Sequence, residues 1–278
     1  MNQLLAALPN LPVPADYRAG DHAKWLFTLW AGGVALLVLP YCLHRLRKYR
    51  DGVPLLMWFG GFIASLGEPM VDYLGHLWWP ENLPGPAFEG YGLKVPLLIP
   101  FAYVVAVSVT GYFAYRMFQK GVTVRQVFYV WLAITSVDLL IEMPGTVANV
   151  YRYYGHQPFY VLKFPMHWAW LNGTGFLMAG FLLWVLEPRL RGARRAVLAL
   201  VPTFGFFGAY GLTSMPAWAS VNMNMSSVPQ HLFSLASLGL CLIVVRVIAE
   251  VVHQSPPAPA PNPVPVVGAV AVAECASV

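Results

Sequence analysis

The sequence predicts an all-α, polytopic membrane protein with seven transmembrane helices, its N-terminus outside and its C-terminus in the cytoplasm. Three observations predict it. Of the 278 residues, 58% are hydrophobic and only 10% are charged, against about 25% charged in a soluble domain. Seven segments stay apolar over the roughly 20 residues that a helix needs to cross a bilayer. The Lys and Arg residues between those segments alternate in density from one connection to the next, as they do across a membrane.

In chain order, residues 1–24 form an outer N-terminal segment. Its beginning, Met1–Leu8, lacks the basic start and long apolar core of a cleaved signal peptide. The spans then run Trp25–His44, Pro54–Trp79, Val95–Phe118, Val124–Val150, Phe164–Leu186, Ala196–Ser214 and Val228–Val252, joined by short connections. Arg45, Arg47, Lys48 and Arg50 follow span one. Arg116, Lys120 and Arg125 surround the turn between spans three and four. Arg189, Arg191, Arg194 and Arg195 follow span five, and Arg246 closes span seven. These twelve residues face one side; Arg18, Lys24, Lys94, Arg152 and Lys163, five in all, face the other. The richer side is cytoplasmic by the positive-inside rule. Residues 253–278, rich in Pro, Ala and Val, read as a disordered cytoplasmic tail. Trp78, Trp79, Trp168, Trp170 and Trp218 fall at outer span ends, where amphipathic rings form interfacial belts.

Composition also excludes some functions. The net charge of +5 sits in the short inner loops, so it reports topology and not nucleic-acid binding. Cys42 and Cys241 fall within spans and Cys275 in the tail, which suggests neither a disulfide framework nor a thiolate metal site. The bias toward Ala, Gly, Val and Arg points to a bacterial cell membrane. Asn224-Met225-Ser226 fits a glycosylation acceptor, which matters only in a secretory pathway.

Functional signal comes from the polar residues inside the spans. An ionisable group at mid-bilayer costs about 2.5–3.5 kcal/mol on insertion scales, so such groups face the bundle interior or water. Span two carries Glu68, Asp72 and His76 four residues apart, which predicts one helical face. Span four carries Asp138 and Glu142 with the same spacing, and Asn149 beyond them. Span five opens with His167 and Asn172. Span six ends with Tyr210 and Ser214, and span seven begins with Gln230 and His231. All of these fall in the outer half. They predict one polar cavity lined by spans two, four, five and seven. Pro69 beside Glu68 and Pro144 beside Glu142 remove backbone donors, which predicts kinks that shape the site.

Bland readings apply to individual residues. A lone Asp72 or Asp138 suits a structural hydrogen bond between helices. His76 suits the interface beside Trp78, the tryptophans suit the belt, and Arg152 and Lys163 suit solvated loops. His22, His44 and His253 lie at span ends and need no role. Four acids in two helices are less easily structural, because intramembrane ionisable groups are functional by default.

The chemistry that best uses this set is acid-catalysed cyclisation or isomerisation of a lipophilic isoprenoid. A carboxyl group taken out of water favours its protonated form and serves as a general acid. A second carboxylate or a histidine then accepts the final proton. Aromatic faces stabilise the cations between those steps, and an apolar wall excludes water. Glu68 is the expected proton donor, tuned by Asp72, Asp138 and Glu142, with His76 or His167 as terminal base. Trp168, Trp170, Tyr210, Asn172, Tyr73 and His231 are the expected substrate-binding residues. No cofactor is required.

The seven spans, together with Gly67-Glu68-Pro69 and Asp72 in the outer part of span two, resemble the small integral-membrane terpene cyclases of fungal meroterpenoid and bacterial drimane-type pathways. The resemblance covers Trp25 to Val252. It implies a cyclase of terpenoids and maps the family's protonating span-two glutamate onto Glu68. That family's second acid lies in a late helix; here the late spans carry none, and Asp138 and Glu142 stand in span four. In kind, an acid pair among aromatics is also similar to the membrane sterol isomerases.

Two other classes remain open. A metal-dependent membrane hydrolase would use His76, His167 and His231 as a three-histidine zinc set, with Asp72 orienting His76. Ser227 four residues before His231 resembles the serine and histidine arrangement of seven-span ceramidase and progestin-receptor-type hydrolases, although their HxxxH pair is missing. A transporter or lipid-binding protein would use the carboxylates as a proton relay. No inverted repeat supports a secondary transporter, and span seven has no lysine for a retinal pigment. The expected partners are a lipophilic small-molecule substrate and the bilayer, and no nucleic acid.

Overall fold

The computed structural model describes residues 14–254. The readings made for Met1–Leu8, Cys275 and the tail beyond Gln254 lie outside the described residues. Six helices are long and apolar enough to cross a membrane. They are α1 (Asp21–Tyr49), α4 (Leu98–Gln119), α5 (Val124–Val147), α6 (His167–Arg189), α7 (Gly192–Thr213) and α9 (Ser227–Gln254). A bent pair, α2 (Val53–Ser65) and α3 (Glu68–Gly75), which meet at 48°, is long and apolar enough when taken together, and brings the number to seven if the pair is one span. The short α8 (Met215–Asn222) precedes α9. The chain is therefore an all-helical, multi-pass membrane protein.

Helix α6 is the hub. It packs on α4, α5, α7 and α9, and 56% of its most apolar stretch is buried against 22% for the peripheral α1. Small residues allow these approaches, as is common between membrane helices. A Cβ on Gly180 of α6 would lie 2.6 Å from the Gly111 carbonyl oxygen of α4. The outward faces present Leu26, Leu29, Leu36 and Leu37 of α1 and Leu140 of α5, surfaces that suit lipid and not water.

Local chemistry sets the element ends. Helix α5 begins with a capping box: Thr123 accepts from the Gln126 amide, and Gln126 Oε1 accepts from the Thr123 amide at 2.8 Å. The break between α2 and α3 falls at Leu66 and Gly67, and Pro69 starts α3 where a missing N–H costs least. Gly67 is held against the Phe207 ring, leaving no room for a side chain. The kink expected at Pro69 is thus a full bend. Pro144 instead sits inside the last turn of α5, which continues to Val147. Helix α4 contains a π-helical segment, Val104–Val109, directly after Tyr103.

The connections at the carboxyl end of the bundle are not short. The chain between α3 and α4, and between α5 and α6, folds into a cap of small antiparallel strands. In it β1 (Leu77–Trp78) pairs with β4 (Arg152–Tyr153), β2 (Phe88–Gly90) with β3 (Leu93–Val95), and β5 (Tyr160–Val161) with β6 (Phe164–Pro165). Tyr91-Gly92 and Leu162-Lys163 close two hairpins with positive φ at both positions, as two-residue turns of the I′ kind require. The expected tryptophan belt is partly a core: Trp79, Trp168 and Trp218 are buried.

Candidate active site

Beneath the cap lies a cavity of about 100 Å³. Glu68 and Asp72 reach it from α3, Asp138 and Glu142 from α5, Asn172 from α6 and Tyr210 from α7. Tyr103 of α4 and the cap residues Trp79, Tyr151 and Tyr153 complete its polar wall; Trp168, Phe176 and Phe206 line it with rings. All four acids expected from the sequence are brought together. Glu68, Asp72 and Asp138 are buried, and Glu142 is the most open of the four.

Each carboxyl group is held by a neutral donor. Tyr103 donates its hydroxyl to Glu68 Oε2 at 2.6 Å. Trp79 Nε1 donates to Asp72 Oδ2 at 2.8 Å. Tyr151 donates to Glu142 Oε2 at 2.6 Å and also reaches the Glu142 carbonyl at 2.8 Å. Asn172 Nδ2 donates to both oxygens of Asp138 at 3.3 and 3.2 Å, and the Tyr210 hydroxyl donates to Asn172 Oδ1. That last bond fixes which end of the amide faces Asp138. Glu68 and Asp72 stand one helical turn apart on α3 and line the same cavity.

No Lys, Arg or His lines the cavity. Four potential negative charges in a low-dielectric enclosure repel strongly. Protons on some of them, or a bound cation, must therefore balance the set. The rings are arranged in contact with one another. Phe206 lies 4.6 Å from Tyr210, 5.4 Å from Tyr103 and 5.7 Å from Phe176, between ring centroids. Tyr153 stacks on Trp168 at 6.2 Å and 12°.

Several expected residues stand elsewhere. The shared face of Glu68, Asp72 and His76 stops at Gly75, because His76 caps α3 in the left-handed region at φ 55°. Its ring turns away, bonds Asn222 Oδ1 through Nε2 at 3.1 Å and stacks 5.1 Å from Tyr154. His167 is buried against Trp168 at 4.4 Å and does not line the cavity. Trp170 packs toward Phe159, and Tyr73 stacks on Tyr91. His231 bonds the Ser227 carbonyl through Nδ1 at 2.8 Å, lies 3.4 Å from Ser227 Oγ and packs on Phe159. The three histidines of the zinc reading thus occupy three separate environments. Among the described residues no group of three His, Cys, Asp or Glu side chains is placed to hold a metal.

The cavity is also bounded by different spans than expected. Span seven contributes nothing to the wall, while the third and sixth contribute Tyr103, Phe206 and Tyr210. Tyr103, Tyr151, Tyr153 and Trp79 were not legible as site residues. The hints were the cluster of three tyrosines in four positions at Tyr151–Tyr154 and the position of Tyr103 on an outer helical turn.

Compared with known proteins, the chain matches no family model, no curated protein and no solved structure.

Proposed function

We propose that this protein is a membrane-embedded cyclase or isomerase that uses carboxyl acid–base catalysis on a hydrophobic, isoprenoid-like substrate. One observation carries the reading: four carboxyl groups converge on a single cavity with neutral donors, ring walls and no cation. In this reading Glu68 gives a proton to an olefin or epoxide of the substrate, with Tyr103 holding its other oxygen in place. The resulting cation is attacked by a second double bond, which closes a ring, or rearranges. Asp138 or Glu142 then takes a proton from an adjacent carbon, forming the new double bond. To close the cycle, the acid that took the substrate proton releases it to water, and Glu68 is reprotonated from water by way of Asp72, one helical turn away. Phe206, Phe176 and Trp168 present faces to the positive charge.

Size places a condition on the substrate. A volume of about 100 Å³ is smaller than the roughly 150 Å³ apolar cavity that takes up one benzene ring. It accommodates the reacting end of a chain and not a whole polyprenyl group. A lipid-side groove of about 270 Å³ lies between α1 and α5, formed by Leu26, Phe27, Trp30, Leu140, Ile141 and Pro144 beside Glu142. In this reading the remainder of the chain rests there.

The absence of a cation from the wall also favours a second reading, a carrier in which the acids bind protons or a metal-free cation in relay. The two separate in one experiment. Purified protein is incubated with a panel of prenylated substrates, and reconstituted vesicles are tested for proton flux. Product formation abolished by Glu68→Gln together with Glu142→Gln supports the enzyme. Flux without product, lost in the same variant, supports the carrier and removes the enzyme reading.

A further inference from the structure

A second, larger cavity of about 420 Å³ lies in the cap. Tyr153 is common to its wall and to that of the carboxyl cavity. Its other polar residues are Arg152, Tyr154, His156, Gln157 and Tyr160. It therefore sits at the bundle end, the depth at which helices stop and lipid head groups begin.

Two features ask for a ligand. Arg152 is an exposed cation on a fixed backbone, since β4 pairs with β1 through Arg152 and Trp78. Among the described residues it forms no ion pair; its guanidinium lies over the Tyr17 ring at 5.5 Å. Gln157 is 8% exposed. Its Nε2 donates to the carbonyls of Gly75 and Tyr154 at 3.0 and 3.1 Å, which settles the orientation of the amide. Its Oε1 is then a buried acceptor with no donor, and a group of that kind is rarely left unsatisfied.

We propose that this cavity binds a glycerophosphate group: a phosphate anion on Arg152 and a neighbouring hydroxyl donating to Gln157 Oε1. A choline head group meets neither requirement, because it brings a cation and no donor. The source is an anionic phospholipid of the phosphatidylglycerol kind or a free glycerol phosphate. The assignment does not depend on the reaction proposed for the carboxyl cavity.

The test is calorimetric titration of the full chain in a neutral detergent with dihexanoyl phosphatidylglycerol, dihexanoyl phosphatidylcholine and glycerol 1-phosphate. Phosphatidylglycerol is expected to bind at least about tenfold more tightly than phosphatidylcholine. Arg152→Gln should erase that preference, and Arg152→Lys should retain part of it. Gln157→Leu, which removes the Oε1 acceptor together with the two Nε2 donations, should weaken phosphatidylglycerol about tenfold. Glycerol 1-phosphate binding as tightly as the lipid assigns the site to the soluble form; binding of the lipid alone assigns it to the bilayer. Equal affinity for the two lipids, no binding of any probe, or a preference that survives Arg152→Gln overturns the proposal. Arg152 is exposed, so a folding defect is not the expected outcome, and an unchanged melting temperature checks this.

Discussion

A buried carboxyl group without a cation beside it has to be held by neutral donors, and the identity of those donors decides what each acid contributes. Glu68 depends on Tyr103, and Asp138 on Asn172, which is itself oriented by Tyr210. Tyr103→Phe removes the hydroxyl that Glu68 accepts from; if Glu68 donates the proton, turnover falls while the fold is kept. Glu68→Gln goes further and should lower turnover by about 10²–10⁴, the usual contribution of a general acid. Product assays on matched amounts of folded protein check both. Asn172→Leu orphans Asp138 and Tyr210 at once and should destabilise the protein by about 1–3 kcal/mol, the cost of unsatisfied buried groups, read as a lower melting temperature in detergent. The acids were legible because a charge in a span is conspicuous by its insertion cost. Their tyrosine and tryptophan partners were not, because those rings are equally at home at an interface. The histidines failed for a different reason: His76 was placed by extending the phase of a helix that ends one residue before it.

Among the elements, the break between α2 and α3 positions the first acid pair. Pro69 announced it in the sequence, but the size of the bend depends on Gly67 lying against Phe207 of α7, a contact between distant segments. The strands of the cap were illegible for the same reason. They are two or three residues long, and β1 pairs with β4 across two intervening helices, α4 and α5. The close packing of α4 on α6 gives a prediction at this scale. Gly180→Val places a branched side chain where a Cβ already meets the Gly111 carbonyl at 2.6 Å. Overpacking of this kind costs about 1–3 kcal/mol, so the variant should melt earlier than the native protein. Gly239→Val on α9, where a Cβ meets nothing within 4 Å, should not.

For the whole molecule, composition and spacing were enough to give the helical membrane architecture, since the bilayer admits few alternatives. They also fixed the end of the bundle where the acids gather. The twelve basic residues set against five lead us to propose that this end faces outside. A fluorescent protein fused to the C-terminus should be bright in a bacterial host and an alkaline phosphatase fusion inactive; the reverse result contradicts the orientation. The central claim is that the carboxyl cavity transfers protons to and from a hydrophobic substrate. The most direct measurement is turnover of prenylated substrates in D₂O by protein in nanodiscs, with native chain and Glu68→Gln compared by mass spectrometry and NMR of the product. The account predicts one solvent deuterium at the protonated carbon of each product molecule, and loss of that product with Glu68→Gln. Product free of solvent deuterium, or undiminished turnover by Glu68→Gln, would contradict it.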